Sequence, residues 1–569
     1  MRGSVVGAIL VGVAAGVSAQ EVEELRGRVS GVFESSGLPG ATWGAMIVSL
    51  DTRDTLFAMA PDSALTPASN LKLLTTAAAL QILGPEYRFR TYLLTDGTVA
   101  GGVVHGDLVL YGTGDPGISD RLYQRKDDVF RLLVDQLEEM GIHTVTGDIV
   151  GDASFFTGPL RPPGWDPRDL NDHFTGGVSA LSFNENVVSF RVVPGAPGEA
   201  PSVTTVPPHS GMEVVNNAET VSGRARPRLA ILRDDPLAPV RVEGRIVAGT
   251  RDVWRQMTVS APAHFAATAF GAVLEERGIA LQGGLRIVED ADQSILGRQA
   301  VGAPAYGKRE ARVLARHVSL PLGAYLDVIN HESNNLFAEL VFRSLGRTLT
   351  GEGSPVASGR AVRAALSAIG VDLRGLVQQD GSGLSSGSRV SASTFVSMLE
   401  RMAEGPYWED LMASLPEAGQ RRGLSRMYST AAAGNLRAKT GTIEGVSALS
   451  GVVRSGEGER LAFSLLVNEA RSTTRAKRVE NQIGVLLASF QREPGRTPTL
   501  QMLQAQIVAD ALVADDVDRH RVSSGENLSA IAGRYRVSLD DLLSANPRLE
   551  PDRLVPGQWI EIPQGAGTD

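Results

Sequence analysis

Ser69-Asn70-Leu71-Lys72 places a hydroxyl and an amine three residues apart at the start of a predicted helix. Residues i and i+3 share a helix face, so the amine can reach the alcohol. Serine is a weak nucleophile until a base takes its proton, and a lysine desolvated in an apolar cleft near other cations is neutral enough to do so. Ser333-Asn334-Asn335 lies between two helical runs, Leu322–His331 and Leu336–Leu345. Here Ser333 would relay a proton to a leaving group, and Asn335 would orient substrate and Lys72. Lys439-Thr440-Gly441-Thr442 falls on a predicted strand. Its glycine leaves the strand edge open to a substrate backbone. Lys439 and the hydroxyls of Thr440 and Thr442 would hold a C-terminal carboxylate, and the N–H groups of Ser69 and Thr442 would receive an oxyanion. Together these groups describe acyl transfer through a serine ester.

Each motif also has an ordinary structural explanation: a capped helix start, an N-cap between helices, a hairpin glycine. Their conjunction carries the reading, because all three occur in the order, and on the elements, of the serine enzymes that open β-lactam and D-alanyl bonds. Lysine usage points the same way. Of 55 basic residues only Lys72, Lys126, Lys308, Lys439 and Lys477 are lysine. Arginine keeps its proton where a desolvated lysine can lose it, and two of the five lysines lie in the motifs.

Around the motifs the pattern predicts a helix over 21–36, strands over 42–50 and 54–60, and the serine helix from Pro67 to about Leu83, stopped by Gly84-Pro85. Residues 92–290 change texture to short β-rich runs between Gly/Pro-rich loops, as an insertion with its own core would. Helical periodicity returns over 310–349 and 391–404. Three strands follow over 436–443, 446–453 and 460–468, then a helix over 475–491.

Other chemistries find little support. With no cysteine there are no disulfides and no thiolate nucleophiles or ligands. His331-Glu332 lacks the second histidine of a zinc-protease helix, so neither a metal nor a cofactor is expected. A net charge of −9 gives no general case for nucleic acid. Gly112-x-Gly114-x-x-Gly117 carries Pro116 inside it, and the next predicted strand ends at Asp152, far beyond the spacing of about 20 residues expected for a ribose-binding acid. Gly383-x-Ser385-x-Gly387 has no apolar strand before it. Arg2, the apolar run Val5–Val17 and Val17-Ser18-Ala19 read as a secretory signal over 1–19, which implies export to the periplasm or the cell wall.

The chain resembles the class C low-molecular-mass penicillin-binding proteins, the D-alanyl-D-alanine carboxypeptidase/endopeptidase family, over roughly residues 25–492. The resemblance rests on Leu65–Lys72, Gly112-Thr-Gly-Asp-Pro116, Gly151-Asp-Ala-Ser-Phe-Phe156, Pro163-Gly-Trp165 and Ser179-Ala-Leu181 with Asn184 and Asn186. It continues through Ser333-Asn-Asn335, Asp380-Gly-Ser-Gly-Leu-Ser385 and Lys439-Thr-Gly-Thr442. It implies an α+β, β-lactamase/transpeptidase-like domain, an antiparallel sheet flanked by helices, assembled from 20–91 and 291–492 around β-rich inserted domains at 92–290. It also implies Ser69 as the acylated residue, Lys72 as base, Ser333, Asn335 and Lys439 completing the site, and Asp152 meeting the free amine of a diaminopimelate side chain. β-Lactams would be covalent inhibitors.

After a helix and linker at 493–519, residues 520–563 resemble the LysM module, a small βααβ fold that binds N-acetylglucosamine chains. Its expected glycan groove takes in Ser524, Gly525, Glu526, Asn527, Asn546 and Pro547. The expected partner is peptidoglycan, stem peptide and glycan together; the sequence implies no oligomeric state. A serine β-lactamase and a non-catalytic wall-binding protein are the rival readings. The insertion and the glycan module oppose the first, and the retention of all three motifs opposes the second.

Overall fold

The computed structural model describes residues 6–492 apart from 209, 224–227, 236 and 298–310, and in the tail 517–521, 528, 531–532, 542–543, 545–546 and 559–563. Its organising element is a five-stranded antiparallel sheet in the order Arg437–Ile443, Val446–Arg454, Arg460–Asn468, Thr42–Ser49, Thr55–Met59. The middle strands are apolar on both faces because both are covered: successive side chains of a strand point to opposite sides. Ala448 and Val452 pack against the serine helix and its neighbours. Leu449 and Val453 pack against Val22–Phe33 of the first helix and against Thr473–Ser489. Arg437–Ile443 lies at the edge of this sheet, and beyond the bridge of Arg437 to Glu417 its outer side has no strand partner among the described residues.

The serine segment is more elaborate than a plain helix start. A 3₁₀ turn, Ala68–Asn70, precedes the helix Leu71–Leu83, and Ala68 sits at φ +46°. Every side chain from Leu71 to Leu80 is buried, Lys72 included. The helix Leu322–His331 ends just before Ser333, which takes φ +55°. Asn334 then caps the helix Asn335–Thr350 by accepting from the Phe337 N–H (3.0 Å).

A second five-stranded sheet, in the order Leu285–Val288, Ile149–Asp152, Leu108–Gly112, Arg90–Thr95, Arg312–Val318, takes its last strand from beyond the 92–290 expected for an insertion. Amphipathic Asp128–Glu139 contributes Val129, Phe130, Leu133, Val134 and Leu137 to its core. A four-stranded sheet and two three-stranded sheets complete the region among the described residues. The helical reading of 310–318 is corrected here. Val313, Leu314, Ala315 and Val318 mimic helical spacing, but the segment pairs with Arg90–Thr95 through a bulge between Val313 and Ala315. The first helix runs from Val6 to Glu34, beginning earlier than the helix expected over 21–36. No helix among the described residues is long and apolar enough to cross a membrane.

In the tail, Val517–Arg521 pairs antiparallel with Trp559–Pro563. Leu528, Ile531, Ala532, Leu542, Ile560 and Ile562 form a small separate core.

Candidate active site

Four elements converge on one alcohol. Lys72 Nζ donates to Ser69 Oγ (2.9 Å), to Asn335 Oδ1 (2.7 Å) and to the Ser382 carbonyl (2.7 Å). Lys439 Nζ donates to Ser333 Oγ (3.0 Å) and to its neighbour's carbonyl at Thr440 (3.1 Å). Thus the structure brings Ser69, Lys72, Ser333, Asn335 and Lys439 together. Asn70 ties the serine turn to the sheet, donating from Nδ2 to Ser450 Oγ (2.8 Å). Ser69 itself stays partly exposed in a turn whose neighbours are buried, as an attacking group must.

Electrostatics follow from burial. Both lysines are buried, and an ammonium in such surroundings loses the hydration that favours its charge. Desolvation pulls Lys72 down to about 7, against the opposing pull of Asp380 and Glu339. Lys439 lies well below the usual lysine range through desolvation and then repulsion from Lys72. A proton-accepting amine therefore sits beside Ser69 Oγ near neutral pH.

Gly441 is fixed by contact with the serine turn. A Cβ there would stand 2.7 Å from the Pro67 carbonyl oxygen and 3.1 Å from the Ser69 nitrogen. Gly441→Ala is expected to slow acylation by a penicillin about 100-fold, the usual consequence of misplacing a reacting group by an ångström. Stopped-flow acylation with a circular dichroism control measures this; an unchanged rate would show the strand and the serine turn to be uncoupled.

Sequence reasoning missed the backbone's part in this site. Ser382 contributes a carbonyl to Lys72, and Phe174 contributes one that accepts from Asn335 Nδ2 (3.0 Å). Main-chain acceptors leave no trace in residue type; the only signal for Ser382 was the Asp380–Ser385 string. Asp380 shapes that loop, accepting from Trp165 Nε1 (3.1 Å), the Gly383 N–H (3.1 Å) and the Ser385 N–H (2.8 Å).

Asp152 is not brought to the site. It is wholly buried, accepting from the Ser154 N–H (2.9 Å) and Ser294 Oγ (2.6 Å), which leaves it no surface for a substrate amine. Asp120 and Glu185 line the cleft that reaches Ser333 and Asn335, and Asp166, Asp169 and Asp172 stand in the turns leading to Phe174. Arg168 joins this segment to Glu444, on the hairpin beside Thr442 (3.3 Å). Partial burial, then the charges of Asp166 and Asp172, hold the Asp169 carboxyl above its ordinary value.

A cleft of about 1060 Å³ reaches Ser333 and Asn335 from the insertion side, lined also by Arg121, Phe174, Glu185 and Arg422. Arg121 Nε donates to Glu185 Oε1 (2.7 Å) and also pairs with Glu332, bridging insertion and peptidase. No group of side chains suited to a metal ion occurs among the described residues.

Of the expected glycan-groove residues, Ser524, Gly525, Glu526, Asn527 and Pro547 lie outside the described residues. Asn546 is engaged within the tail: Nδ2 donates to the Leu542 and Glu561 carbonyls, and Oδ1 accepts from the Glu561 N–H. That pattern gives it a structural role, pinning the closing strand.

Comparison with known proteins accords with this geometry. Residues 25–490 match the D-Ala-D-Ala carboxypeptidase 3 (S13) family, and 520–563 match the LysM domain. A D-alanyl-D-alanine carboxypeptidase of Actinomadura sp. (strain R39) is 34% identical over 488 residues, covering 84% of this chain and 86% of the relative. Carboxypeptidase DacB of Mycolicibacterium smegmatis is 29% identical, covering 75% and 77%. The crystal structure of penicillin binding protein 4 (dacB) from Haemophilus influenzae superposes with a TM-score of 0.67 at 23% identity, over 82% of this chain and 99% of that one, so the fold is shared. The chain belongs to the D-Ala-D-Ala carboxypeptidase 3 (S13) family of serine-type, penicillin-binding wall peptidases, and it carries a LysM domain at its C-terminal end.

Proposed function

We propose that Ser69 forms the acyl-enzyme, with Lys72 as its base. The reading rests on one observation: a buried amine, low in proton affinity, held 2.9 Å from the only partly exposed hydroxyl of the serine turn. Ser69 Oγ attacks the carbonyl of the penultimate D-alanine while its proton passes to neutral Lys72. The N–H groups of Ser69 and Thr442 receive the oxyanion. As the C–N bond breaks, the leaving amine takes a proton through Ser333, which Lys439 holds in place. Water then attacks the ester, its proton returns by way of Lys72, and Ser69 Oγ is freed. Lys439, Thr440 and Thr442 grip the terminal carboxylate, while Gly441 leaves room for the substrate backbone. The leaving group is a terminal D-alanine in a stem pentapeptide or a cross-linked diaminopimelate in a dimer.

Incubation with a D-Ala-D-Ala peptide and with a cross-linked dimer tests this, read as free D-alanine and as monomer. A penicillin adduct that persists for minutes accords with a peptidase, whereas rapid turnover of the drug would favour a β-lactamase. The Haemophilus influenzae protein has been solved complexed with a β-lactam, which supports the same class of inhibitor here.

The LysM domain would hold the enzyme on glycan in the periplasm or wall, raising the local substrate concentration by tethering. Removal of residues 493–569 is expected to leave D-alanine release from a soluble peptide unchanged. Retention on isolated sacculi should fall at least tenfold, because a single linked module commonly contributes that much or more. Equal sedimentation of both forms with sacculi would exclude the tether.

A further inference from the structure

The helix that follows the Ser333 turn carries a buried polar stripe. Asn335, Glu339 and Arg343 stand at i, i+4 and i+8, so they share one face of a helix otherwise buried among apolar side chains. Their exposures are 9%, 0% and 1%. Asn335 touches Lys72 directly, but Glu339 is one group removed from it. Glu339 Oε1 accepts from the Gly381 N–H (2.9 Å) and the Ser382 N–H (2.8 Å), and the carbonyl of the same Ser382 accepts from Lys72 Nζ (2.7 Å). Glu339 Oε2 is buried with no hydrogen-bond partner. Arg343, one turn further on, donates to the Thr157 and Pro159 carbonyls of the insertion and to that of Gly353.

A fully buried carboxylate with one idle oxygen is costly for stability alone. Its placement has to be explained by what it holds. The loop Asp380–Ser385 has no secondary structure to fix its carbonyls, and Gly383 at φ +81° lies so close to the serine turn that a Cβ would meet the Ala68 oxygen. The loop's direction is therefore set from both sides: Asp380 ties its own N–H groups, and Glu339 ties Gly381 and Ser382.

We propose that Glu339 is a positioning residue for the acyl transfer, holding the Ser382 carbonyl on Lys72 so that Nζ stays aimed at Ser69. The inference rests on the proposed role of Lys72 and adds a group that no motif contains. It also has an electrostatic side. The charged groups facing Lys72 are Asp380 from the loop, Glu339 from the helix and Lys439 from the strand edge. Around Glu339 stand Asp380 and Arg343, and burial raises its carboxyl to about 7. Any negative charge on Glu339 favours the protonated amine, so its removal should let Lys72 lose its proton at lower pH.

The test is the pH profile of penicillin acylation for the full-length wild type, Glu339→Gln and Glu339→Ala, with thermal melting beside it. Glutamine keeps an oxygen able to accept both N–H groups. Glu339→Gln should therefore retain a plateau rate within about fivefold of wild type, with its ascending limb displaced to lower pH. Glu339→Ala releases the loop and should lose about 100-fold at the plateau, with noncovalent drug affinity little changed. A wild-type rate and limb in Glu339→Ala would overturn the proposal. So would an unmoved limb in a folded Glu339→Gln, or losses in both variants that track the unfolded fraction. Failure of the wild type to acylate at all would count against the Lys72–Ser69 reading instead, which keeps the two failures distinct.

Discussion

Ser69→Ala abolishes the covalent adduct in intact-mass spectra after incubation with a penicillin, and lowers D-alanine release by roughly 10⁴–10⁶-fold. That range is what loss of the nucleophile costs in serine hydrolases, where the oxyanion site and binding alone leave a small residual rate. The fold should be unaffected. Among the described residues Ser69 Oγ is bonded to Lys72 alone, and the turn is held independently by the Asn70 N–H to the Pro67 carbonyl (3.2 Å) and by Asn70 to Ser450. Melting temperature and circular dichroism of Ser69→Ala therefore serve as controls rather than readouts. An adduct of unchanged stoichiometry on the alanine variant would remove Ser69 from its role. An adduct displaced to Ser333, the other hydroxyl at a lysine, would show that the two alcohols had been assigned in the wrong order.

How far the sequence could be read depended on the range of the interactions involved. Ser69 and Lys72 are three residues apart, so helical geometry alone predicts their contact, and the structure gives 2.9 Å. The Lys439 strand was legible because Val446–Arg454 and Arg460–Asn468 follow it as plain apolar runs separated by turns. Asp152 failed for the opposite reason. An aspartate closing a strand looks the same whether it faces a cleft or bonds a serine 142 residues away, as Ser294 does here. Arg312–Val318 failed because four apolar residues in seven fit two periods at once, and the choice fell to pairing with a strand more than 200 residues earlier. The carbonyls of Ser382 and Phe174 were beyond reach, since any residue supplies one.

Lys72→Arg should cost about 10³-fold or more in acylation at every pH, although it preserves positive charge and donors. A general base contributes typically 10²–10⁴-fold, and arginine keeps its proton under all practical conditions. In the wild type the sign of the pH dependence follows from the required state. Acylation needs the free amine, so the rate rises as pH climbs through about 7 and then levels. Lys72→Arg should remove that limb along with the rate; activity within tenfold of wild type would give the base's task to another group. Lys439 adds a further consequence. Unliganded, it is poor in protons because it is buried and faces Lys72. A substrate carboxylate arriving beside it would restore its charge, and that charge would in turn press Lys72 toward neutrality. The limb in kcat, which reports the complex, should therefore lie at lower pH than the limb in kcat/KM, which reports the free enzyme. Substrates whose terminal carboxylate is amidated should show no such displacement. If amidated and free-acid peptides instead gave the same pair of limbs, the two amines would titrate without regard to each other, and Lys439 would not be the carboxylate's partner.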